Sequence, residues 1–136
     1  MSEHTTEISL PARQENLAAL LAWVEEQARR AGMDDAGGRI RLVVEELFTN
    51  TLHHGHGGET DAPVSLSVTV DAIGIRLHYR DCAPPFDLTA APPLPPDSSR
   101  LGGVGLNLVR RLADACRYCY DAGCNRVELE FRRPGP

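Results

Sequence analysis

The sequence predicts an α+β protein, a two-layer α/β sandwich whose mixed, mostly antiparallel sheet carries helices on one face. Three observations support this. Two stretches in the first half repeat apolar residues at helical spacing, two neighbouring stretches alternate apolar and polar residues, and the tail reads as a hairpin around DAGCN. The order strand, helix, helix, strand, strand, loop, helix, strand, strand makes consecutive strands antiparallel neighbours and leaves the helices to cover one sheet face. A doubly wound sheet would instead alternate strand and helix throughout.

The first element is a short strand over residues 6–10 (TEISL). Leu17, Leu20, Leu21, Val24 and Ala28 then recur at helical spacing until Gly32 supplies a stop. A second helix begins after Asp34-Asp35, whose side chains suit a helix start, buries Ile40, Val43, Val44 and Leu47, and ends near Gly55. Two alternating strands follow, with Val64, Leu66, Val68 and Val70, then Ile73, Ile75, Leu77 and Tyr79, on the buried face. From Pro84 to Pro96 six prolines exclude helix or central strand, so the segment is an extended loop. A third helix opens on a glycine-rich turn in SSRLGGVGLNLVRRLADAC, and the closing hairpin turns Val127, Leu129 and Phe131 inward.

Bulk properties narrow the function. A chain of 136 residues suits one domain spanning 1–136, burying roughly two-thirds of its unfolded surface. With 42% hydrophobic and 24% charged residues and no apolar run approaching ~20 residues, a membrane span is not expected. The start, MSEHTTEISLPARQ, lacks the basic and apolar regions of a signal peptide, which predicts a cytoplasmic location. In that reducing compartment Cys82, Cys116, Cys119 and Cys124 are expected to stay as thiols and to act as small buried hydrophobes. A net charge of −5 with scattered arginines, and few aromatics, argues against direct nucleic-acid binding. Any effect on transcription would pass through protein partners.

The chemistry concentrates in VVEELFTNTLHHGHGG, from Val43 to Gly58. Glu46 and Asn50, at i and i+4, share one shoulder of the second helix and can meet a single ligand. An Asn50 amide oxygen suits Mg²⁺, which prefers oxygen ligands and keeps substrate phosphates and waters as the others. Glu46 can accept a proton from a nearby hydroxyl. An isolated ExxxN is more often an ordinary polar helix edge. Asp81, at the end of an alternating strand, can accept a hydrogen bond from an exocyclic amine, although a lone aspartate there is commonly a turn residue. Gly102-Gly103-Val104-Gly105 at a helix start offers free N–H groups to phosphate oxygens, although glycine-rich turns are common, and Arg100 before it has the charge to neutralise a phosphate, although such an arginine is more often simply solvated. No GxxxxGK[ST] sequence is present, which excludes a Walker-type site.

The ordered combination of ExxxN on a helix, two strands ending in Asp81 with PPF beyond, a loop, and GGVGL opening a helix resembles the GHKL, or Bergerat-fold, ATP-binding superfamily. Within it, the short chain looks like the stand-alone anti-sigma-factor serine/threonine kinases, from about Ile8 to Phe131. The resemblance implies a histidine-kinase-like ATPase fold, ATP and Mg²⁺ as cofactors, and a homodimer. It also implies two protein partners, a sigma factor and an anti-anti-sigma (STAS-type) protein phosphorylated on Ser or Thr. It assigns Mg²⁺ coordination to Asn50, the catalytic base to Glu46, and the adenine amine to Asp81 within Asp81-Cys82-Ala83-Pro84-Pro85-Phe86-Asp87, where Ala83 and Phe86 would line the nucleotide. Gly103, Val104, Gly105 and Leu106 would hold phosphates, with residues 88–100 as the ATP lid. The family has glycine where this chain has Ala83. If that position needs positive φ, alanine costs on the order of 1 kcal/mol there. A non-catalytic, nucleotide-responsive interaction module of the same fold is therefore the alternative.

His53, His54 and His56 with four cysteines raise a zinc reading, but their spacing does not converge four ligands. His54 is expected to cap helix carbonyls or to line the cleft.

Overall fold

A computed structural model describes residues 3–55, 57–86 and 109–134. Five strands form one sheet, β1 (His4–Pro11), β2 (Pro63–Val70), β3 (Gly74–Asp81), β4 (Ala115–Asp121) and β5 (Cys124–Arg132), in the order β1-β2-β3-β5-β4. Every strand pairing among the described residues is antiparallel. Two helices, α1 (Leu17–Arg30) and α2 (Asp34–Asn50), pack on one face of this sheet. Residues 109–112 are helical as well.

The helix boundaries have local causes. Gly32 adopts φ +71 after α1, its N–H bonds to the Arg29 carbonyl, and the Met33 N–H reaches back to the Ala28 carbonyl at 2.8 Å. This is a Schellman stop, in which a left-handed residue lets the chain satisfy the last carbonyls. Met33, not an aspartate, occupies the N-cap position of α2. Asp34 and Asp35 sit inside the first turn and support the helix through their negative charge at its positive end, a correction to the capping role expected of them.

The core is the seam between helices and sheet. Leu20, Val24, Ile40, Val43, Val44 and Phe48 meet Leu66, Ile75, Leu77, Leu129 and Phe131. Each such side chain contributes about 1.5–3 kcal/mol through removal from water. Arg39 ties the helical residues 109–112 to this layer, donating to the Leu112 carbonyl at 3.0 Å while its guanidinium lies 5.8 Å from the Phe131 ring centroid.

One expected core residue is outside. Ile73 is 65% exposed because the β2–β3 connection is a tight turn in which the Asp71 carboxylate accepts the N–H groups of Ile73 and Gly74. Strand β3 therefore begins at Gly74, whose φ of +155 and a carbonyl of Phe131 only 2.2 Å from any added Cβ require glycine. In the closing hairpin, Ala122 (φ 53) and Gly123 (φ 76) join Asp121 to its partner Cys124, the two left-handed residues of a primed two-residue turn.

Candidate functional site

Helix α2 leaves α geometry at Thr51, where a π turn covers Thr51–Gly55. Such widened turns recur at functional sites because they free carbonyls and shift side chains. The Leu47 carbonyl accepts the Thr51 N–H and lies 3.1 Å from the Thr51 hydroxyl and 3.2 Å from the Tyr79 hydroxyl. Thr51 Oγ1 also lies 2.6 Å from the Tyr79 hydroxyl and 2.7 Å from Asp81 Oδ2. A carboxylate is the strongest of these acceptors, so the single Thr51 proton goes to Asp81 and Tyr79 donates to Thr51 or Leu47. Burial pushes the Tyr79 phenol far above its ordinary pKa, which keeps it a donor.

Asp81 ends β3 buried, opposite Asn125 at the start of β5. Asn125 Nδ2 donates to Asp81 Oδ1 at 2.8 Å and to the carbonyls of Ala83 and Pro84 at 3.2 and 3.0 Å. Its Oδ1 accepts the Phe86 N–H at 2.9 Å and the Tyr118 hydroxyl at 2.5 Å. One buried amide thus fixes the chain from Asp81 to Phe86. Thr51, Asn125 and the Ala83 N–H (3.4 Å) take three of the roughly four acceptor positions of the Asp81 carboxylate and leave one for an incoming donor.

Asn50, Asp81 and Phe86 come together around one cavity of about 20 Å³, completed by Leu47, Thr51, Tyr79, Asn125 and Val127. That volume holds about one water, so the described residues enclose a pocket smaller than a nucleotide base. The Asn50 side-chain oxygen is buried with no hydrogen-bond partner among the described residues. An unpartnered amide oxygen is a suitable ligand for a hard cation. Glu46 lies one helical turn before Asn50 and is partly buried, and burial followed by the neighbouring Glu45 charge raises its pKa above the ordinary glutamate range. A roomier groove of about 600 Å³ runs over α1 and α2, but its charges, such as Arg41 and Glu25 at 3.1 Å, satisfy one another, and it contains none of the expected site residues.

Ala83 is buried beside Asp81 and is not in the left-handed region, since Ala122 is the one non-glycine residue with positive φ among those described. The backbone at this position therefore accepts alanine without strain. Arg100, Gly103, Val104, Gly105 and Leu106 lie outside the described residues, as do Asp87 and the expected lid over 88–100. The side chains of His54 and His56 also fall outside them.

The cysteine expectation is overturned for three residues, Cys82, Cys124 and the exposed Cys119. Cys82 and Cys124 form a disulfide with S–S 2.06 Å, and Cys82 is exposed, so neither is simply a buried hydrophobe. Cys119 is exposed and Cys116 half-buried. The sequence reading also missed Thr51, Tyr79 and Asn125. A buried tyrosine at the end of an inward-facing row was the available signal for a polar partner on the helix opposite; Asn125 gave none until the β3–β5 register was known.

Comparison with known proteins bears on the family and the fold. The histidine kinase-like ATPase domain family matches residues 10–131. The serine-protein kinase RsbW of Listeria monocytogenes serotype 4a (strain HCC23) is 26% identical over 133 residues, covering 91% of this chain and 85% of the relative, and RsbW of Listeria innocua serovar 6a matches to the same extent. Among solved structures, that of the RsbU and RsbW domains of Rv1364c from Mycobacterium tuberculosis superimposes with a TM-score of 0.64 at 17% identity, covering 96% of this chain. This chain spans 33% of that protein's length, and the likeness concerns the fold. With a family match over nearly its whole length, a five-stranded antiparallel sheet under two helices, and an Asn50–Asp81 cleft at the helix end, the chain belongs to the histidine kinase-like ATPase domain family.

Proposed function

We propose that the protein is an ATP-binding anti-sigma factor that phosphorylates an anti-anti-sigma protein of the STAS type on serine or threonine, and that it works as a homodimer in the cytoplasm. Family membership and the similarity to RsbW proteins support this reading. The observation that carries it is the unpartnered Asn50 oxygen, which shares a cavity with Asp81 one helical turn from Glu46.

Asn50 would hold Mg²⁺, and Asp81, oriented by Thr51 and Asn125, would accept the adenine amine. Bound Mg-ATP supplies the γ-phosphoryl group. Glu46 accepts the proton of the attacking hydroxyl, a task that its raised pKa suits because it makes the carboxylate a stronger base. Ala83 and Phe86 would border the base, while phosphate contacts are assigned to Arg100 and to Gly103, Val104, Gly105 and Leu106. The alternative, a nucleotide-responsive binding module without transfer, drew on Ala83, and the unstrained backbone there removes that motive.

Calorimetric titration with ATP, with and without Mg²⁺, tests the cleft. Wild type should bind with Mg²⁺ dependence, Asn50→Ala should lose that dependence, and Asp81→Asn should bind about tenfold or more weakly, the loss of a charge-assisted hydrogen bond. Identical isotherms for all three would refute the assignment. Tight binding without transfer to any antagonist would select the non-catalytic alternative.

A further inference from the structure

The Cys82–Cys124 disulfide stands beside the Asp81–Asn125 pair. Cys82 follows Asp81 and Cys124 precedes Asn125, so the bond closes the next rung of the β3–β5 ladder. Side chains alternate along strands, which puts Asp81 and Asn125 on the helix side and the sulfurs on the other. A reagent can therefore reach Cys82, which is exposed, without entering the cleft.

What the bond restrains matters equally. Beyond Asp81 the β3–β5 pairing ends, and residues 82–86 are held by Asn125, by Tyr118 at the Phe86 N–H and by the disulfide. Phe86 lines the cavity with Asn50 and Asp81, so a covalent tie between Cys82 and Cys124 limits the conformations of residues 82–86 from which a ligand must select.

We propose that Cys82 and Cys124 form a reversible dithiol–disulfide site that sets the affinity of the cleft for ATP, with the oxidised form binding more tightly; this rests on the ATP reading above. Oxidation proceeds by exchange with a low-molecular-weight disulfide. The exposed Cys82 thiolate attacks one sulfur of the reagent, forms a mixed disulfide and expels one reagent thiol. Cys124 then attacks the Cys82 sulfur and expels the second. Two protein thiols and one reagent disulfide become one protein disulfide and two reagent thiols, and a dithiol reductant reverses the sequence.

The test is calorimetric titration with Mg-ATP of the full chain, oxidised with glutathione disulfide or reduced with dithiothreitol, with the Cys82–Cys124 link followed by peptide mass. Reduction should weaken binding about fivefold to tenfold, reversibly. The double variant Cys82→Ser/Cys124→Ser should stay at the reduced affinity in both conditions, and Cys119→Ser should keep the wild-type response. Because wild type alone carries the redox comparison, poor folding of a variant does not blunt it. Equal affinities in the two forms, tighter binding by the reduced form, or thiols at Cys82 and Cys124 that never pair would each overturn the inference. If neither form binds Mg-ATP, the ATP reading fails and the inference falls with it, an outcome distinguished by flat isotherms in both conditions.

Discussion

At the residue scale, the shared helix face of Glu46 and Asn50 was legible because the relation is local: four positions on a helix fix it whatever the rest of the chain does. The residues that complete the cleft were not, since Thr51 acquires its role from Tyr79 and Asp81 on a strand 28 and 30 positions away, and Asn125 from a register no single segment encodes. The same non-locality hid the disulfide, whose partners become adjacent only when β5 aligns with β3. Glu46 makes a pH-dependent prediction. Burial and Glu45 raise its pKa in the folded chain, so the folded state binds its proton more readily than the unfolded state does. The resulting stability is fully present below the unfolded pKa and is lost as pH rises through the folded one. Phosphate transfer should move the opposite way, increasing as the carboxylate forms, with an acid limb above the ordinary glutamate range. A pH–rate profile checks this, and Glu46→Gln should flatten the limb and lower transfer about 10²–10⁴-fold while ATP binding remains.

At the scale of elements, periodicity recovered α1, α2, β2, β3 and the closing hairpin, because a buried stripe imposes a period of 3.6 or 2 on any sequence that forms one. Ile73 misled because a period-two pattern cannot tell the first residue of a strand from the last of a turn; the Asp71 carboxylate, which gathers two N–H groups, decides it. The β4–β5 turn holds an avoidable cost. Ala122 carries a Cβ at φ 53 where a primed turn favours asparagine followed by glycine, and Gly123 is already in place. Ala122→Asn should therefore stabilise the protein by about 0.5–1 kcal/mol, measured as a higher urea midpoint with an unchanged slope.

At the scale of the whole molecule, the strand order places β3 centrally, between β2 and β5, and its end delivers Asp81 beneath the end of α2. Cleft and core are thus parts of one packed layer, and a ligand bound only by the folded chain stabilises all of it. Saturating Mg-ATP at a hundredfold excess over Kd should add about 2.7 kcal/mol and raise the melting midpoint by roughly 8–12 °C. Thermal melts of Asp81→Asn, binding tenfold more weakly at the same nucleotide concentration, should show about half of that shift. The buried Asn50 oxygen sets the other side of this relation. A buried acceptor without a donor costs about 1–3 kcal/mol, so an apolar side chain of similar size at position 50 would make the free protein sturdier while removing the oxygen proposed to hold Mg²⁺. Robustness and the proposed activity then compete at that one atom, and thermostability screens run without nucleotide would favour variants that lack it.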